Sequence, residues 1–294
     1  MPLEPLFWYG LILKMTMTAA IVVAASVAVE RSGPFIGALF ATLPTAAGAA
    51  YIIMAVEHPP AFIAASAIGT TAMNAGVAIF ALTYAMLAQR HGVLISITVA
   101  VLVWFCAAAV LQLMEWTPAR ALVLNALVLG PTIPASARFR RDVLSRKDIR
   151  RTRYELPLRA MAAALVVAAV TTASHRIGSL ASGIFAVFPI VMGTFVVILH
   201  SHVGGKAAGA VLAHAQPPLI GLFLGFLAVH YLAEPLGVWW AFACGLAITM
   251  TVCFGWRAGR GRVCCEPPGN ATYLAIESFR SRMSMPHFCV CVPI

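Results

Sequence analysis

RSGPFIGALFATLPTAAG, residues 31–48, and RIGSLASGIFAVFPIVMG, residues 176–193, are two versions of one stretch, 145 residues apart. Without a gap they share six of 18 positions: Arg31/Arg176, Gly33/Gly178, Phe40/Phe185, Ala41/Ala186, Pro44/Pro189 and Gly48/Gly193. The same offset also pairs Lys14 with Arg159, Ala65 with Ala210, Gly76 with Gly221 and Leu82 with Leu227. The repeat therefore covers most of each half, as in many membrane transporters.

The composition indicates an integral membrane protein. Hydrophobic residues make up 61% of the chain, charged residues make up 10%, and the mean hydropathy is +0.91. So few charges cannot cover a water-soluble globule. The net charge of +10 does not indicate nucleic acid, because eight of the 20 basic residues lie in one short run, 138–153. That run is typical of a cytoplasmic loop.

Apolar segments near the length of a bilayer crossing predict an all-α protein with about nine transmembrane helices. The predicted spans are 7–29, 34–56, 60–88, 93–115, 118–136, 155–175, 179–200, 206–231 and 235–256. They divide the chain into a first repeat with five spans (1–137), a basic cytoplasmic loop (138–154), a second repeat with four spans (155–256) and a polar, cysteine-containing tail (257–294). The start of the chain lacks a basic region and a cleavage site, so we expect the first span to be retained.

Lysine and arginine positions predict the orientation. With the N-terminus outside and the C-terminus inside, 14 of the lysine and arginine residues up to position 262 fall on inner loops and the start of the tail, and two, Arg120 and Arg176, fall on outer loops. This bias follows the positive-inside rule. Five spans precede the basic loop, so the second repeat enters the membrane from the opposite side to the first. The two halves are predicted to form an inverted repeat.

The tail raises a separate question. The offset places a fifth span of the second half at about 263–281, where the sequence is too polar and too rich in proline to insert. Either the protein naturally has five spans in the first repeat and four in the second, or its carboxyl end has been altered. Cys264, Cys265, Cys289 and Cys291 lie in this tail, but their spacing matches no zinc knuckle, so we expect no metal site.

The second helix of each repeat is predicted to be broken at Pro44 and Pro189, because proline removes a helical hydrogen bond. Two broken helices that meet near the bilayer centre can coordinate a solute or an ion. The same residues also suit a kinked packing helix, and that alternative stays open. The candidate substrate-binding residues are Thr42, Pro44, Thr45, Gly48 and Asn74 in the first half, with Phe188, Pro189, Gly193 and Gln216 in the second.

Further polar residues are predicted to lie near the candidate site. Thr70, Thr71, Asn125, Thr132 and His214 also lie at membrane depth, where polar side chains are costly unless they face the protein interior or water. Arg31 and Arg176 precede the repeated helices, one at each face, and can attract an anion there; interfacial snorkelling is the alternative.

No Asp or Glu lies deep in a span, and no nucleotide-binding, protease or hydrolase motif is present. We therefore expect neither an enzyme nor a cofactor.

In architecture the chain resembles bacterial secondary transporters built from two inverted five-helix units, such as the bile-acid-transporter-like superfamily. The resemblance covers span count, parity and broken-helix repeats over residues 7–256, although in that superfamily the broken helices come later in each unit. It implies a multi-pass inner-membrane transporter or exporter of a small solute, and the pair Arg31 and Arg176 favours an anionic or zwitterionic one. Expected partners are the bilayer, the solute, a coupling ion and a second copy of the chain, without nucleic acid. A non-transporting membrane scaffold is the alternative.

Overall fold

The computed structural model describes residues 9–10, 12–20, 23–24, 45–141 and 155–263. Its helices are α1 (Thr45–Glu57), α2 (Pro60–Leu87), α3 (Val93–Gln112), α4 (Pro118–Ala137), α5 (Glu155–Ala186), α6 (Ile190–Val203), α7 (Gly205–Ala215), α8 (Leu219–Leu232) and α9 (Val238–Val263). A short 3-10 helix, Arg138–Arg141, follows α4, and residues 12–20 are helical. These described residues contain no strand, so the all-α prediction is confirmed for this part of the chain.

The chain divides into two compact units, residues 1–253 and 254–294. The described part of the second unit is the end of α9, residues 254–263. Within the described residues, five helical stretches are long and apolar enough to cross a membrane, or six if the bent pair α7 and α8 counts as one span. The predicted count of nine stays a prediction, because much of the first two predicted spans falls outside the described residues.

The most apolar of the candidate spans is largely exposed in this fold. The most apolar stretch, α3, is 22% buried, whereas the less apolar α2 is 83% buried. A water-soluble protein would bury its most apolar helix. An apolar helix that stays exposed is expected where the surrounding medium is lipid. This pattern agrees with the predicted multi-pass membrane protein.

The central helix is α2, and it packs against α3, α4, α5, α7 and α8. Small side chains allow this close approach, most clearly where α2 crosses α5. A Cβ added to Gly69 would collide with the carbonyl of Leu180, and a Cβ added to Gly183 would collide with the carbonyl of Ser66. The sequence favours such contacts through its many glycine and alanine residues, which let membrane helices pack backbone to backbone.

Two helical segments are interrupted near prolines. The chain leaves the helix after Ala186 and resumes at Ile190, so the predicted break at Pro189 is present. Upstream, Gly178 adopts φ 80° and ψ 175° inside α5, which separates the predicted spans 155–175 and 179–200. Pro44, the other predicted break, lies outside the described residues. The prediction did not place a break in span 206–231, but α7 and α8 meet there at a bend of 42°.

Candidate functional site

The crossing of α2 with α7 and α8 brings together the polar residues of both halves. Along this crossing the residue numbers rise on α2 while those of their contacts on α8 and α7 fall. The contacts are Ala64 with His230, Asn74 with Leu219, Ala78 with Gln216, Ala85 with Gly209, and Ala88 with Gly205. The two segments therefore run antiparallel. The middle of the crossing lies near Asn74 and Gln216, and the bend between α7 and α8 lies there too.

Asn74 is fully buried and links three helices. Its Nδ2 donates to Oδ1 of Asn125 on α4 at 2.7 Å and to the carbonyl of Leu219 on α8 at 3.3 Å. The Nδ2 of Asn125 in turn donates to the carbonyls of Thr71 and Ala121, at 2.7 and 2.8 Å. Because backbone carbonyls can only accept, these bonds fix which end of each amide is the nitrogen.

Gln216 is also fully buried and occupies the bend itself. Its Nε2 donates to the carbonyl of Ala78 on α2 at 2.8 Å, so its orientation is fixed in the same way. Pro217 and Pro218 follow it, and neither has an N–H to donate. The carbonyl of Ala213 therefore lacks the donor that a regular helix supplies four residues later. The N–H groups that open α8 are used within the bend, because Leu219 donates to Gln216 and Ile220 donates to Pro217.

The amide nitrogens at this crossing are paired, but several oxygens are not. Among the described residues no hydrogen-bond partner reaches Oδ1 of Asn74, Oε1 of Gln216 or Oγ1 of Thr132. Ser66 Oγ, about two turns from Asn74 on α2, also has no partner among these residues. A buried polar atom left without a partner costs about 1–3 kcal/mol. Such atoms call for an explanation, and a bound ligand or water is the usual one.

Thr132 belongs to this crossing through the register of α4. Asn125 lies level with Asn74, and the 3-10 helix after α4 packs against α7, whose Gly209 meets Ala85. Thr132 lies about two turns beyond Asn125 on the same face of α4, since seven residues make nearly two helical turns. It is therefore level with the part of α2 that Gln216 contacts.

The predicted residues around Pro189 lie in a different packing environment. The ring of Phe188 is 4.8 Å from that of Trp104 and 5.7 Å from that of Phe105, both on α3. A Cβ on Gly193 would lie 3.7 Å from Ile97, also on α3. We call the crossing around Asn74, Asn125 and Gln216 the amide crossing. Of the predicted set it brings together Asn74 and Gln216, whereas Phe188 and Gly193 line the contact with α3 and Pro189 lies at the break before α6.

The remaining predicted site residues are Arg31, Thr42, Pro44, Thr45, Gly48 and Arg176. Arg31, Thr42 and Pro44 lie outside the described residues. Thr45 is the first described residue of α1, and Gly48 on the same helix is exposed, with nothing within 4 Å of an added Cβ. Arg176 is exposed beside the kink at Gly178. The structure therefore does not bring Gly48 or Arg176 into the amide crossing.

A charged group, which we call the Glu57 cluster, lies where α1 ends and faces α5. Its members are Lys14, Glu57, His58, Ser174 and His175. Lys14 Nζ is 2.8 Å from Glu57, His175 Nε2 is 3.8 Å from the same carboxylate, and His58 Nε2 is 2.8 Å from Ser174 Oγ. The ligand atoms of Glu57, His58 and His175 lie within 4.8 Å of one another, close enough to hold a metal ion.

Electrostatics in this cluster oppose a charge on His58. Burial lowers the pKa of its imidazole below the usual value, and the neighbouring His175 lowers it further. Lys14, in the helical segment 12–20, forms an ion pair with Glu57. Lys14 already occupies the carboxylate that a metal would need.

Two partnerships could not be found from the sequence. Asn125 was visible as a polar residue at depth, but the Asn74 side chain and the Thr71 carbonyl that it bonds lie on α2. Tyr51 is the second case: its hydroxyl lies 2.7 Å from Thr70, whose own hydroxyl donates to the carbonyl of Gly183. Since Thr70 has one proton to donate, Tyr51 is the donor to Thr70. These bonds join α1, α2 and α5, and no local pattern encodes such distant pairs.

Comparison with known proteins identifies no relative. No protein-family model, no curated protein and no solved structure matches this chain. Its function must therefore be inferred from its own residues and their geometry.

Proposed function

We propose that the two halves form an inverted structural repeat. Two pairs of helices begin 145 residues apart, the offset seen in the sequence: α2 and α7 at Pro60 and Gly205, and α3 and α9 at Val93 and Val238. The end of α2 at Leu87 matches the end of α8 at Leu232 in the same way. Such agreement is expected if one fold was duplicated.

Packing within each half supports the same proposal. A Cβ on Gly76 would lie 3.5 Å from the side chain of Ala107, and one on Gly221 would lie 3.3 Å from that of Val252. Both members of the second pair stand 145 residues after their counterparts in the first. The contact between α2 and α3 is thus repeated between α8 and α9.

Packing between the halves gives the direction of the repeat. Ala64 contacts His230, and Ala85 contacts Gly209. Gly209 is the repeat equivalent of Ala64, and His230 is the repeat equivalent of Ala85. Each contact is therefore the equivalent of the other with the two halves exchanged. Reciprocal contacts of this kind are the signature of a two-fold axis. Because the paired helices run antiparallel, the axis is perpendicular to them. In a bilayer such an axis lies in the membrane plane, as in transporters with inverted repeats.

The function that this geometry supports best is transport of a small solute by alternating access. The observation that carries the proposal is the amide crossing, where a bent helix pair, buried amide oxygens that lack a partner among the described residues, and reciprocal contacts between the two halves occur together. A midplane site at the interface of two repeats is where such transporters bind their solutes. The bend between α7 and α8 provides a natural hinge for exposing the site to either side.

Other parts of the proposal rest on the sequence. The distribution of Lys and Arg supports an outside N-terminus and an inner-membrane location. Arg176, exposed at its face, supports an anionic or zwitterionic solute. The likeness to the bile-acid-transporter-like superfamily extends no further than architecture. We propose that the chain moves its solute together with a coupling ion and does not transform the solute chemically. It acts as a monomer or as a homodimer.

A scaffold is the second candidate, and one observation favours it. The nitrogens of Asn74, Asn125 and Gln216 bind protein groups on neighbouring helices, which is the role of polar residues that hold membrane helices together. A scaffold requires a dry crossing, whereas a transporter requires water to reach it.

Accessibility of Thr132 distinguishes the two candidates. With the native cysteines replaced, Thr132→Cys is treated in membranes with an impermeant thiol reagent added from one side or the other. Transport predicts that Thr132→Cys reacts, and that the reactive side changes when a transported solute or ion is added.

Two controls make the result interpretable. Arg90→Cys, in the exposed loop after α2, must react from one side. Leu102→Cys, on the exposed apolar face of α3, must stay unreactive because thiols in hydrocarbon do not ionise. If Thr132→Cys behaves like Leu102→Cys under all conditions, the crossing is dry and the scaffold replaces the transporter.

A further inference from the structure

We infer that the Glu57 cluster binds a divalent transition metal of the zinc class through Glu57, His58 and His175. This inference goes beyond the proposed transport function and does not depend on it. The three side chains bring one ligand atom each, and these atoms lie within 4.8 Å of one another. Within the described part of the chain, no other three His, Cys, Asp or Glu side chains form such a group. Two imidazoles and one carboxylate are a ligand set that zinc uses in proteins.

The spacing of these side chains is close to what a metal requires. Around a tetrahedral zinc ion, neighbouring nitrogen and oxygen ligands are about 3.3–3.5 Å apart. His175 Nε2 is 3.8 Å from Glu57 Oε2, which is too long for a hydrogen bond and only slightly longer than that spacing. The rings of His58 and His175 also lie side by side, with centroids 4.3 Å apart. Small side-chain rotations would therefore bring the ligand atoms around one ion.

Hydrogen bonds prepare His58 for coordination. Ser174 Oγ donates its one proton to the carbonyl of Thr171 at 2.7 Å, so it accepts the proton of His58 Nε2 at 2.8 Å. In a neutral imidazole this leaves the lone pair on Nδ1. The ring also stacks on Phe62, with centroids 3.8 Å apart and planes 9° apart. A histidine that binds a metal usually donates its other N–H to a nearby oxygen, which fixes its tautomer and its orientation.

Lys14 is the cation that the metal replaces. Its Nζ lies 2.8 and 3.0 Å from the two carboxylate oxygens of Glu57, so the cluster already attracts a positive charge. A divalent ion places twice the charge of an ammonium group against the same carboxylate. The lysine stem is long and flexible, and its ammonium can turn toward water or the headgroups when the metal enters. Lys14 and the metal therefore compete for Glu57.

The types of ligand and their position restrict the ion further. Calcium and magnesium prefer oxygen ligands, whereas imidazole suits zinc and the neighbouring transition metals. The side chain of His175 is 57% exposed, so an ion from solution can reach the cluster. Under the predicted orientation, the link between α1 and α2 and the end of the span 155–175 both lie at the outer face. The metal therefore enters from outside and joins the first repeat to the second.

Zinc titration of the purified full-length protein tests the inference. The native cysteines are replaced so that thiolates do not bind zinc. Isothermal titration calorimetry at pH 7 should show one zinc ion per chain, and zinc should raise the unfolding temperature. Calcium and magnesium at the same concentration should do neither. His91→Ala is the matched control, because His91 is also exposed but lies outside the cluster, and this variant should keep full zinc binding.

Four variants locate the ion. Glu57→Gln and His175→Ala each remove a ligand, and Ser174→Ala removes the partner of His58. Each of these three should lower the zinc affinity about 10–100-fold. Lys14→Met removes the competing cation and should raise the affinity about 2–5-fold. A cluster that only holds helices together would lose stability in Lys14→Met without gaining affinity for zinc. Unfolding temperatures without zinc identify the folded variants.

Contrary results would overturn the inference. Absence of zinc binding in the cysteine-replaced protein excludes the site. Full zinc affinity in both Glu57→Gln and His175→Ala places the ion elsewhere, as does loss of binding in His91→Ala. Unchanged or weaker affinity in Lys14→Met contradicts the competition for Glu57. The proposed transport function is judged separately by labelling of Thr132→Cys, which does not require zinc.

Discussion

The side-chain amide of Asn74 donates a hydrogen bond to the backbone carbonyl of Leu219, the residue 145 positions later, at 3.3 Å. Under the offset of the repeat, Asn74 and Leu219 are equivalent positions. When a residue touches its own equivalent, the symmetry axis passes between the two. In the proposed two-fold repeat, the amide crossing therefore lies at the axis that relates the two halves, and the side-chain oxygens that lack a partner among the described residues lie beside it.

The hydrogen bond between Asn74 and Asn125 should be measurable by a double-mutant cycle. Asn74→Leu, Asn125→Leu and the double variant remove the pair with similar side-chain volumes. We expect a coupling free energy of about 0.6 kcal/mol, and at most about 1.7 kcal/mol, as for other polar pairs between membrane helices. Thermal or denaturant unfolding in detergent gives the four values. A coupling of zero would mean that the two side chains do not act as a pair.

Close packing of α2 and α5 predicts opposite effects for two glycine substitutions. Gly183→Ala forces a Cβ against the carbonyl of Ser66 and should destabilise the protein by about 1–3 kcal/mol. Gly48→Ala, in the exposed face of α1, should stabilise it by about 0.5–1 kcal/mol because alanine favours helix. Unfolding curves of both variants test this. Equal effects at the two positions would contradict the α2–α5 contact.

The bend at Pro217 and Pro218 should favour motion at the expense of stability. Replacing both prolines with alanine restores the two N–H groups, and we expect the unfolding temperature to rise. Side-dependent labelling of Thr132→Cys should fall in the same variant, because a straight helix loses the hinge. Pro189→Ala serves as a comparison at a break outside the amide crossing. If labelling is unchanged in the straightened variant, the bend is not the hinge.

Acid should destabilise the Glu57 cluster through His58. Its pKa in the folded protein is lowered, so the unfolded chain binds a proton first as pH falls. The stability that His58 contributes is complete above about pH 6.5, the ordinary value for histidine, and declines below it. Lys14 and His175 oppose its protonation, and Glu57 favours it.

Unfolding temperatures between pH 5 and 8 check this dependence. His58→Gln keeps a polar side chain beside Ser174 but cannot titrate. The variant should show a smaller loss of stability between pH 7 and 5 than the wild type. An identical pH profile in both proteins would exclude His58 as the group responsible.

Much of the fold was predictable because membrane helices obey local rules. The spans predicted at 60–88, 93–115 and 118–136 match α2, α3 and α4 within about three residues. Proline at position 189 predicted a break that is present. The prediction missed the bend at Gln216, although its prolines were visible. In the first half Thr71, Ala72 and Met73 occupy the equivalent positions, and α2 runs through them without interruption, so the repeat itself gave no hint of a break.

The site was predictable only in part. Asn74 and Gln216 stood out as amides at membrane depth, and the structure places them at one crossing. Their partners Asn125 and Ala78 could not be inferred, because hydrogen bonds between helices depend on packing angle and register. The Glu57 cluster was missed for the same reason: Lys14 and Glu57 are 43 residues apart and meet only after folding.

The most direct test of the inverted repeat uses two equivalent loop positions. His91, after α2, and Leu236, after α8, are 145 residues apart, and both are exposed. With native cysteines replaced, His91→Cys and Leu236→Cys are each labelled in intact cells and in inverted vesicles with an impermeant thiol reagent. The account predicts that His91→Cys reacts from the cytoplasmic side only and Leu236→Cys from the outer side only. Labelling of both positions from the same side would contradict it.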